Sequence, residues 1–249
     1  IILLFFLNIV PERKQTRDSR MAKADTLNVP EIAFGADRTT QEYVYARLRN
    51  AIMVGAIEPG AHLTMRGLAE ALNLSPTPIR EAVRRLSTEH ALQILPNRRM
   101  TVPLMTLGRF EELVALRITL EVHAAERSVP YISDIIIEKM VALDNEMDRV
   151  LSEGHYDALT ILNQDFHRML YAVNPHQVCI PVIESVWLQL GPFQRQVLVR
   201  LNQVPGVDHH KQIINALRAR DVVALGEAVK NDIREGISRS GRQILEQVA

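Results

Sequence analysis

The sequence predicts a mostly α-helical protein with two domains, a small one that ends in a β-hairpin and a larger all-α antiparallel helical bundle. Two observations predict this division. Between residues 36 and 104, short segments with apolar residues at helical spacing lead into two strand-like runs. From residue 105 to residue 249, apolar residues recur every three or four positions through longer segments. With 249 residues, 47% of them hydrophobic, the chain is long enough for two domains with a sizeable core.

Residues 1–35 are predicted to form a disordered arm or an upstream segment outside the folded domains. The first ten residues are apolar but too few to cross a bilayer as a helix, and a basic polar stretch follows them. We expect translation to begin at Met21, which lies inside that polar stretch. Residues 22–40 show little periodicity and are expected to be flexible. We therefore expect no membrane association from this segment.

Two short helices joined by a tight turn are predicted after a first helix at about residues 41–54, which closes at Gly55. Residues 64–72 place Leu68, Ala69 and Leu72 on one helical face, and a two-residue turn leads to Ser75. The Ser75 side chain is positioned to cap the next helix by accepting hydrogen bonds from free backbone N–H groups, and proline is tolerated in the first turn. Such a pair of helices forms a helix-turn-helix, whose second helix enters a DNA groove.

The second helix, residues 75–86, separates apolar from basic side chains. Ile79, Ala82, Val83 and Leu86 recur at helical spacing, while the arginines at positions 80, 84 and 85 lie on the other sides. A helix N-terminus attracts anions, and exposed guanidinium groups suit a groove lined by phosphates. An ordinary amphipathic helix with solvated arginines would show the same pattern, so this helix alone leaves both interpretations open.

A basic hairpin follows the second helix. The runs 92–95 and 100–102 are predicted strands on either side of the tip Pro96-Asn-Arg-Arg99. Three helices and a basic hairpin together make a winged helix-turn-helix. The net charge of the whole chain is zero, yet residues 75–99 contain five arginines against two glutamates. A local basic surface of this kind is typical of a nucleic-acid-binding domain.

Residues 41–102 resemble the DNA-binding domain of the GntR family of bacterial transcription regulators. The resemblance is carried by the turn Ile57-Glu-Pro-Gly60, the helix Leu68-Ala-Glu-Ala-Leu72, the segment Thr77-Pro-Ile-Arg-Glu-Ala-Val83 and the wing. It implies that Arg66, Ser75, Thr77 and Arg80 approach DNA. Two positions depart from the family pattern, because Pro76 stands where an arginine is common and Arg99 stands where a wing glycine is usual.

Among these residues, Arg80 is the best candidate for reading a base, because a guanidinium fork matches the two acceptors of guanine in the major groove. Arg66 is expected to hold a phosphate. Arg84 on the same helix, and Arg98 and Arg99 in the wing, complete the predicted DNA-binding set. Two such domains in a homodimer would bind a palindromic operator in double-stranded DNA, because a single helix contacts few base pairs.

The second domain is predicted to consist of seven helices joined by short polar turns, which is typical of an antiparallel bundle. A break is expected between the fourth and the fifth helix, at Gly191-Pro192. The predicted helices cover approximately residues 107–128, 133–151, 156–173, 180–190, 193–201, 208–219 and 221–245.

This region resembles the all-helical ligand-binding domain, called FCD, of the FadR subfamily of GntR regulators. The marks are Leu116-Arg117 with Glu121, Asn163-Gln-Asp-Phe-His167, His210 ahead of Ala216-Leu-Arg-Ala-Arg-Asp221, and Val229-Lys-Asn-Asp232. The subfamily commonly holds a divalent metal with one aspartate and three histidines. The resemblance implies the ligands Asn163, His167, His210 and Asp232, with asparagine in place of the aspartate and aspartate in place of the last histidine. His209 is the competing choice beside His210.

The chemistry of these four residues suits a metal. Asn163 and His167 are four residues apart and project from the same helical face, while His210 and Asp232 fall on two later helices. Two imidazoles and one carboxylate suit zinc, nickel, manganese or iron(II), and they leave coordination positions open. The alternative is that both histidines are simply packed and hydrogen-bonded.

Arg117 is the candidate counter-charge for a small carboxylate effector, because a guanidinium pairs with a carboxylate through two hydrogen bonds. The equally good alternative is a structural ion pair with Glu121, four residues further on. Binding of the effector would change the affinity for the operator only if it favoured one arrangement of the two DNA-binding domains.

The sequence therefore predicts a cytoplasmic, homodimeric, ligand-responsive transcription regulator that is not an enzyme, and repression is the commoner activity in the family. The single cysteine, Cys179, excludes a disulfide within the chain and fits the cytoplasm. The alternatives are a metal-dependent enzyme on a helical bundle and a small-molecule-binding protein that has lost DNA recognition. The predicted metal ligands are the feature in favour of the enzyme, and Pro76 and Arg99 are those in favour of the binding protein.

Overall fold

The computed structural model describes residues 27, 29–32, 39–96, 99–201 and 209–247. Most of the segment 1–35, which the sequence predicts to be an arm, and the wing residue Arg98 lie outside these residues. The described chain is mostly α-helical with one small three-stranded sheet, as predicted. Among the helices it describes, none has the length and apolar character needed to cross a membrane.

The first domain contains three helices and three short strands. They are α1 (Thr40–Met53), β1 (His62–Leu63), α2 (Met65–Leu72), α3 (Pro76–Thr88), β2 (Gln93–Ile94) and β3 (Met100–Thr101). The strands form an antiparallel sheet in the order β1-β3-β2, with Leu63 opposite Met100 and Gln93 opposite Thr101. Strand β1 was not predicted, because two residues are too few to show an alternating pattern and only pairing with β3 makes them a strand.

Local hydrogen bonds explain where the first two helices begin and end. The Thr39 side chain accepts from the Glu42 N–H while Glu42 accepts from the Thr39 N–H, which forms a capping box at the start of α1. The Thr64 hydroxyl accepts from the Gly67 N–H at 3.0 Å and caps α2. Helix α2 ends at Asn73, whose φ of 52° is left-handed and creates the tight turn.

The predicted cap at Ser75 was only half right. Ser75 occupies the N-cap position of α3, but its side chain makes no capping hydrogen bond. An N-cap oxygen normally accepts from the second or third helical N–H group. The third helical residue here is Pro78, which has no N–H, so one of the two usual donors is missing.

The second domain is a bundle of long helices with two irregular turns. They are α4 (Leu107–Glu126), a 3-10 turn (Val129–Tyr131), α5 (Asp134–Ser152), α6 (Tyr156–Ala172), α7 (Ile180–Leu201), α8 (His209–Ala219), α9 (Val222–Ile233), a π-helical turn (Arg234–Ser238) and α10 (Arg239–Glu246). Helices α4 and α9–α10 run antiparallel, since Gly226 packs beside Glu126 and Gly241 beside Phe110 at the other end. Helix α5 packs on α6, and α8 packs on both α5 and α9.

The predicted break at Gly191-Pro192 was wrong, because α7 continues from Ile180 to Leu201 with Pro192 inside it. Proline removes one backbone hydrogen bond but does not always end a helix. Gly191 is needed for a close approach instead, since an added Cβ would lie 2.5 Å from the Met53 carbonyl oxygen on α1. Gly191, which suggested a helix end in the sequence, therefore marks the place where α7 packs closely against the first domain.

The two domains are joined mainly by contacts between α1 and α7. Besides Gly191, the Arg49 guanidinium lies 3.5 Å from the Glu184 carboxylate, so a charge pair links the two helices. Arg109 at the start of α4 donates to the His90 carbonyl oxygen of the first domain at 3.4 Å. The buried apolar core is continuous through both domains. A movement of α7 would therefore be transmitted to α1 in the first domain.

A short part of the N-terminal segment packs against the first domain. Val29 is buried, and the Arg47 guanidinium donates to the carbonyl oxygens of Val29 at 2.8 Å and Pro30 at 3.0 Å. These two carbonyl oxygens accept hydrogen bonds from a guanidinium group that is itself buried. The flexibility that the sequence predicts for residues 22–40 therefore does not include residues 29–32.

Candidate DNA-binding surface and metal site

Helix α3 divides its residues as the sequence predicts. Ile79, Ala82, Val83 and Leu86 are buried in the first domain. Ser75, Thr77, Arg80 and Arg84 are exposed along the opposite side of the helix, and Arg66 is exposed on the preceding α2. The tight turn at Asn73 places the polar start of α3 beside α2. The predicted DNA-binding residues of these two helices are thus all open to a partner.

The three arginines of α3 differ in their surroundings, and Arg85 makes contacts within the first domain. Its guanidinium lies over the Tyr45 ring, 3.6 Å from the ring centroid, and 3.2 Å from the Glu89 carboxylate. The Tyr45 hydroxyl donates to the same carboxylate at 2.8 Å. Burial, and then the hydrogen bond to Glu89, raise the pKa of Tyr45 to about 12. Arg85 therefore links α3 to α1.

Arg66 forms a surface ion pair, with its Nε 3.1 Å from the Glu70 carboxylate and its side chain 89% exposed. Such an exposed pair contributes little, roughly 0–1 kcal/mol, to stability. Replacing the ion pair with Glu70 by an ion pair with a DNA phosphate would therefore cost little free energy. In the wing, Arg99 is exposed and its carbonyl oxygen accepts from the Leu95 N–H at 2.8 Å, which closes the hairpin.

The four predicted metal ligands come together from three helices. Asn163 and His167 lie on α6, His210 on α8 and Asp232 on α9. The ligand atoms of His167, His210 and Asp232 all lie within 4.8 Å of one another. One carboxylate oxygen of Asp232 is 3.2 Å from His167 Nε2, and the other is 3.6 Å from His210 Nε2. Asn163 Oδ1 is 3.1 Å from His210 Nε2.

The neighbours of His167 determine which ring nitrogen carries its proton. The Tyr171 hydroxyl donates its only proton to Glu121 at 3.0 Å, and it lies 3.2 Å from His167 Nδ1. Burial and the Glu121 charge raise the pKa of Tyr171 well above its usual value, so this hydroxyl stays protonated. Its oxygen must therefore accept from Nδ1–H, and in the neutral ring Nε2 keeps a lone pair.

This lone pair faces a second electron-rich atom. His167 Nε2 is buried and makes no hydrogen bond, although Asp232 Oδ2 is only 3.2 Å away. Burial alone would raise the pKa of Asp232, but contacts with His167 and His210 in their protonated forms, and the Arg117 charge, outweigh burial and hold it well below the usual range. A carboxylate oxygen and an imidazole lone pair at this distance repel each other unless a cation lies near both. The arrangement therefore has the chemistry of a cation site.

Arg117 and Glu121 form the buried ion pair that was one of the two interpretations of the sequence. Arg117 Nε is 2.6 Å from one carboxylate oxygen, Nη2 is 3.3 Å from the other, and the side chains are 5% and 0% exposed. Burial lowers the pKa of Arg117, but the charge and hydrogen bond of Glu121, together with Tyr171 and Asp232, raise it above its usual value. Glu121 also accepts from Trp187 Nε1 at 2.8 Å, which ties the pair to α7. Contact between Arg117 and an effector remains a prediction.

Sequence reasoning did not find Asp144 on α5, which is 4% exposed with its Oδ1 3.4 Å from His210 Nδ1. The spacing of the apolar residues on α5 could have predicted it, because Asp144 lies on the same helical face as the buried Met140 and Met147. A carboxylate on a buried face needs a partner that is also buried. His209 turns away from the cluster and bonds Glu235 at 2.8 Å. The structure thus brings His210 to the cluster rather than its neighbour.

Two family profiles match this chain. The profile of bacterial regulatory proteins of the gntR family matches residues 40–102, and the FCD domain profile matches residues 112–235. Both matches agree with the domains in the structure. The first covers the three helices and the wing, and the second covers the bundle that contains all four candidate ligands.

Proteins similar in sequence along both domains are named transcription regulators. The HTH-type transcriptional regulator McbR of Escherichia coli (strain K12) is 26% identical over 177 residues, which cover 70% of this chain and 80% of McbR. The HTH-type transcriptional repressor RspR of the same organism is 23% identical over 221 residues, which cover 87% of this chain and 95% of RspR.

Solved structures show the same fold. The structure of E. coli McbR/YncC matches with a TM-score of 0.75 and 23% identity, over 83% of this chain and 99% of that one. A GntR regulator from Rhodococcus sp. RHA1 matches with a TM-score of 0.67 and 22% identity, over 83% and 97% of the two chains. With its winged helix-turn-helix and its helical bundle both matched, the chain belongs to the gntR family of bacterial regulatory proteins and is a DNA-binding transcription regulator with an FCD domain.

Proposed function

We propose that this regulator is a cytoplasmic homodimeric repressor that binds a palindromic operator, and that a small carboxylate bound at a divalent metal in the FCD domain controls its affinity for that operator. The convergence of the His167, His210 and Asp232 donor atoms within 4.8 Å is the main support for the metal. The exposed arginines of α2 and α3 support the contact with DNA. The similar proteins are named regulators, which favours a regulatory role for the metal over catalysis.

The DNA contact divides into base reading and phosphate binding. Arg80 is exposed one turn into α3, where its guanidinium fork would reach the two acceptor atoms of a guanine. Arg66 on α2 and Arg84 on α3 are also exposed and would bind phosphates, with Ser75 and Thr77 at the N-terminus of α3. Since one such helix contacts few base pairs, two copies related by a two-fold axis would read a palindrome.

The residues of the candidate metal site fit a divalent ion. Two imidazole nitrogens, one carboxylate and the neutral Asn163 oxygen would carry a formal ligand charge of −1, and they suit zinc, nickel, manganese or iron(II). The buried His167 Nε2, which makes no hydrogen bond, is the clearest sign that a cation completes the site. When bound, the ion would act as a Lewis acid that holds the carboxylate of the effector.

Helix α7 provides a route from the metal site to the DNA-binding domain. Trp187 on this helix donates to Glu121, whose other partners include Tyr171 and, through it, His167. One turn further along the same helix, Gly191 touches the Met53 backbone at the end of α1. An effector that favoured one position of α7 would therefore favour one position of the DNA-binding domain.

The test of DNA reading is a comparison of Arg80→Ala with Arg84→Ala on a pool of random duplexes. We expect Arg80→Ala to remove the sequence preference at one position in each half-site, with a cost of about 1–3 kcal/mol. Arg84→Ala should instead weaken all duplexes uniformly and reduce the salt dependence. An unchanged sequence preference in Arg80→Ala would refute the role of Arg80.

The test of the metal is elemental analysis after dialysis against Zn²⁺, Ni²⁺ or Mn²⁺, on the wild type, on Asp232→Asn and on Asp165→Asn. Asp165 is an exposed aspartate on the same helix as His167, so Asp165→Asn serves as the matched control. We expect one ion per chain in the wild type and in the control, and loss of the ion in Asp232→Asn. Metal-free wild type would refute the site.

A further inference from the structure

Helix α3 carries an acidic side chain on the face that the proposed DNA contact uses. Glu81 is exposed, and so are Thr77 four residues before it and Arg84 three residues after it. Residues at these spacings are neighbours on a helix surface. The buried Ile79 and Leu86 lie on the other side of the helix. Glu81 also lies in the N-terminal half of α3, the part of a recognition helix that contacts base edges. A carboxylate would therefore enter the groove together with the arginines.

The arginine that would normally neutralise Glu81 is engaged elsewhere. On a helix surface, a glutamate pairs with a basic residue four positions further on, and here that residue is Arg85. The Arg85 guanidinium lies 3.2 Å from the Glu89 carboxylate and 3.6 Å from the centroid of the Tyr45 ring. Within the part of the chain that the structure describes, Glu81 makes no hydrogen bond or ion pair. Both of its carboxylate oxygens can therefore accept from an outside donor.

A carboxylate without a partner is unfavourable in a DNA groove unless it gains a specific contact. The major groove is about 12 Å wide. A side chain inside it lies within about one Debye length, roughly 8 Å at physiological salt, of phosphates on both strands. The repulsion between the carboxylate and the phosphates is therefore only partly screened, and it weakens binding to every sequence alike. A hydrogen bond from a base to the carboxylate would offset this cost at selected sequences only.

The hydrogen-bonding capacity of Glu81 determines which base it suits. An ionised carboxylate only accepts hydrogen bonds. In the major groove, guanine presents two acceptors, thymine presents an acceptor and a methyl group, and cytosine presents an amino group as a donor. Adenine also presents an amino group, but its N7 acceptor lies beside it and would repel the second carboxylate oxygen. Cytosine is therefore the base that matches a glutamate.

We propose that Glu81 is a specificity-determining residue that accepts a hydrogen bond from the N4 amino group of a cytosine in each half-site. This inference rests on the proposed reading of DNA by α3, and it adds a second base contact to the guanine contact of Arg80. The ion pair of Arg85 with Glu89 contributes indirectly, because it leaves the Glu81 carboxylate available for the base.

The experiment is a selection of bound duplexes from a random pool with the full chain, followed by gel shifts on the selected sequence. Glu81→Ala removes the carboxylate, while Glu81→Gln keeps its shape and introduces an amide, which pairs with adenine. Glu58 is exposed in the turn before β1, so Glu58→Gln removes the same charge from the same domain outside α3 and is the matched control. Arg80→Ala is included as the separate test of DNA reading by α3.

We expect the wild type to select a C·G pair at one position of each half-site, and Glu81→Ala to accept any pair there. Glu81→Gln should shift the preference at that position toward A·T. In gel shifts, replacing this pair should weaken the wild type by about fivefold or more per half-site, which is the lower end of the range for a base contact, and Glu81→Ala by less than about twofold. Glu58→Gln should keep the wild-type preference.

Three results would overturn the proposal. The first is a Glu81→Ala protein that keeps the wild-type preference, even if it binds all duplexes more tightly, because Glu81 would then only repel phosphates. The second is a lost preference for a pair other than C·G, and the third is an equal loss in Glu58→Gln. Lost preference in Glu81→Ala with unchanged preference in Arg80→Ala would refute the role of Arg80 and support that of Glu81. A wild type that selects no sequence would refute DNA reading by α3, and this inference with it.

Discussion

Replacing Glu121 by glutamine should destabilise the FCD domain far more than the loss of an average ion pair. The Glu121 side chain is fully buried, and its two oxygens accept from Arg117, Tyr171 and Trp187. Glutamine keeps the shape but loses the charge, and its amide group donates where donors already point. Removing one partner of a buried pair leaves an uncompensated charge and costs about 3–5 kcal/mol. We therefore expect Glu121→Gln to lower the free energy of unfolding by that amount.

The measurement is urea unfolding followed by far-ultraviolet circular dichroism. Trp187 is the single tryptophan, and its emission separately reports the loss of its hydrogen bond to Glu121. The double variant Arg117→Met with Glu121→Gln should regain much of the lost stability, because it removes the buried cation that Glu121→Gln leaves unpaired. A cost below about 1 kcal/mol for Glu121→Gln would show that the pair behaves like a solvated one and would refute this reasoning.

The remaining predictions concern the domain interface and the first domain. Gly191→Ala should lower the free energy of unfolding by about 1–3 kcal/mol, because the added methyl group overpacks against Met53. Gly108→Ala is the control and should not destabilise the protein, because the space around its Cβ is open. Thermal unfolding of the two variants measures the difference. The same Gly191→Ala variant should also alter operator affinity in a gel shift, and unchanged affinity would argue against coupling through α7. Because the pKa of Tyr45 is raised to about 12 in the folded protein, its contribution to stability should be complete below about pH 10 and lost as the pH rises toward 12. Alkaline unfolding of Tyr45→Phe, which lacks this titration, should therefore show a weaker pH dependence than that of the wild type.

Much of the helical structure could be predicted, because its signals are local. The apolar spacing places the starts of α2 and α5 at residues 64 and 133, within one residue of those observed. Failures occurred where a local signal had a distant cause. Gly191 indicated a helix end but serves the contact with Met53 on another helix. The missing cap at Ser75 has a local cause instead, because Pro78 lacks one of the N–H groups that an N-cap oxygen accepts from.

The sequence by itself determined the apolar spacing of each helix, and this spacing predicted the two domains and the basic face of α3. The four candidate ligands followed from the resemblance to the FCD domain. Only the tertiary structure decided that Arg117 pairs with Glu121, that His210 rather than His209 enters the cluster, and that Asp144 stands behind it. The physical reason is that helix periodicity depends on neighbours within about four residues. The partner of a buried charge is chosen by packing between helices that are far apart along the chain.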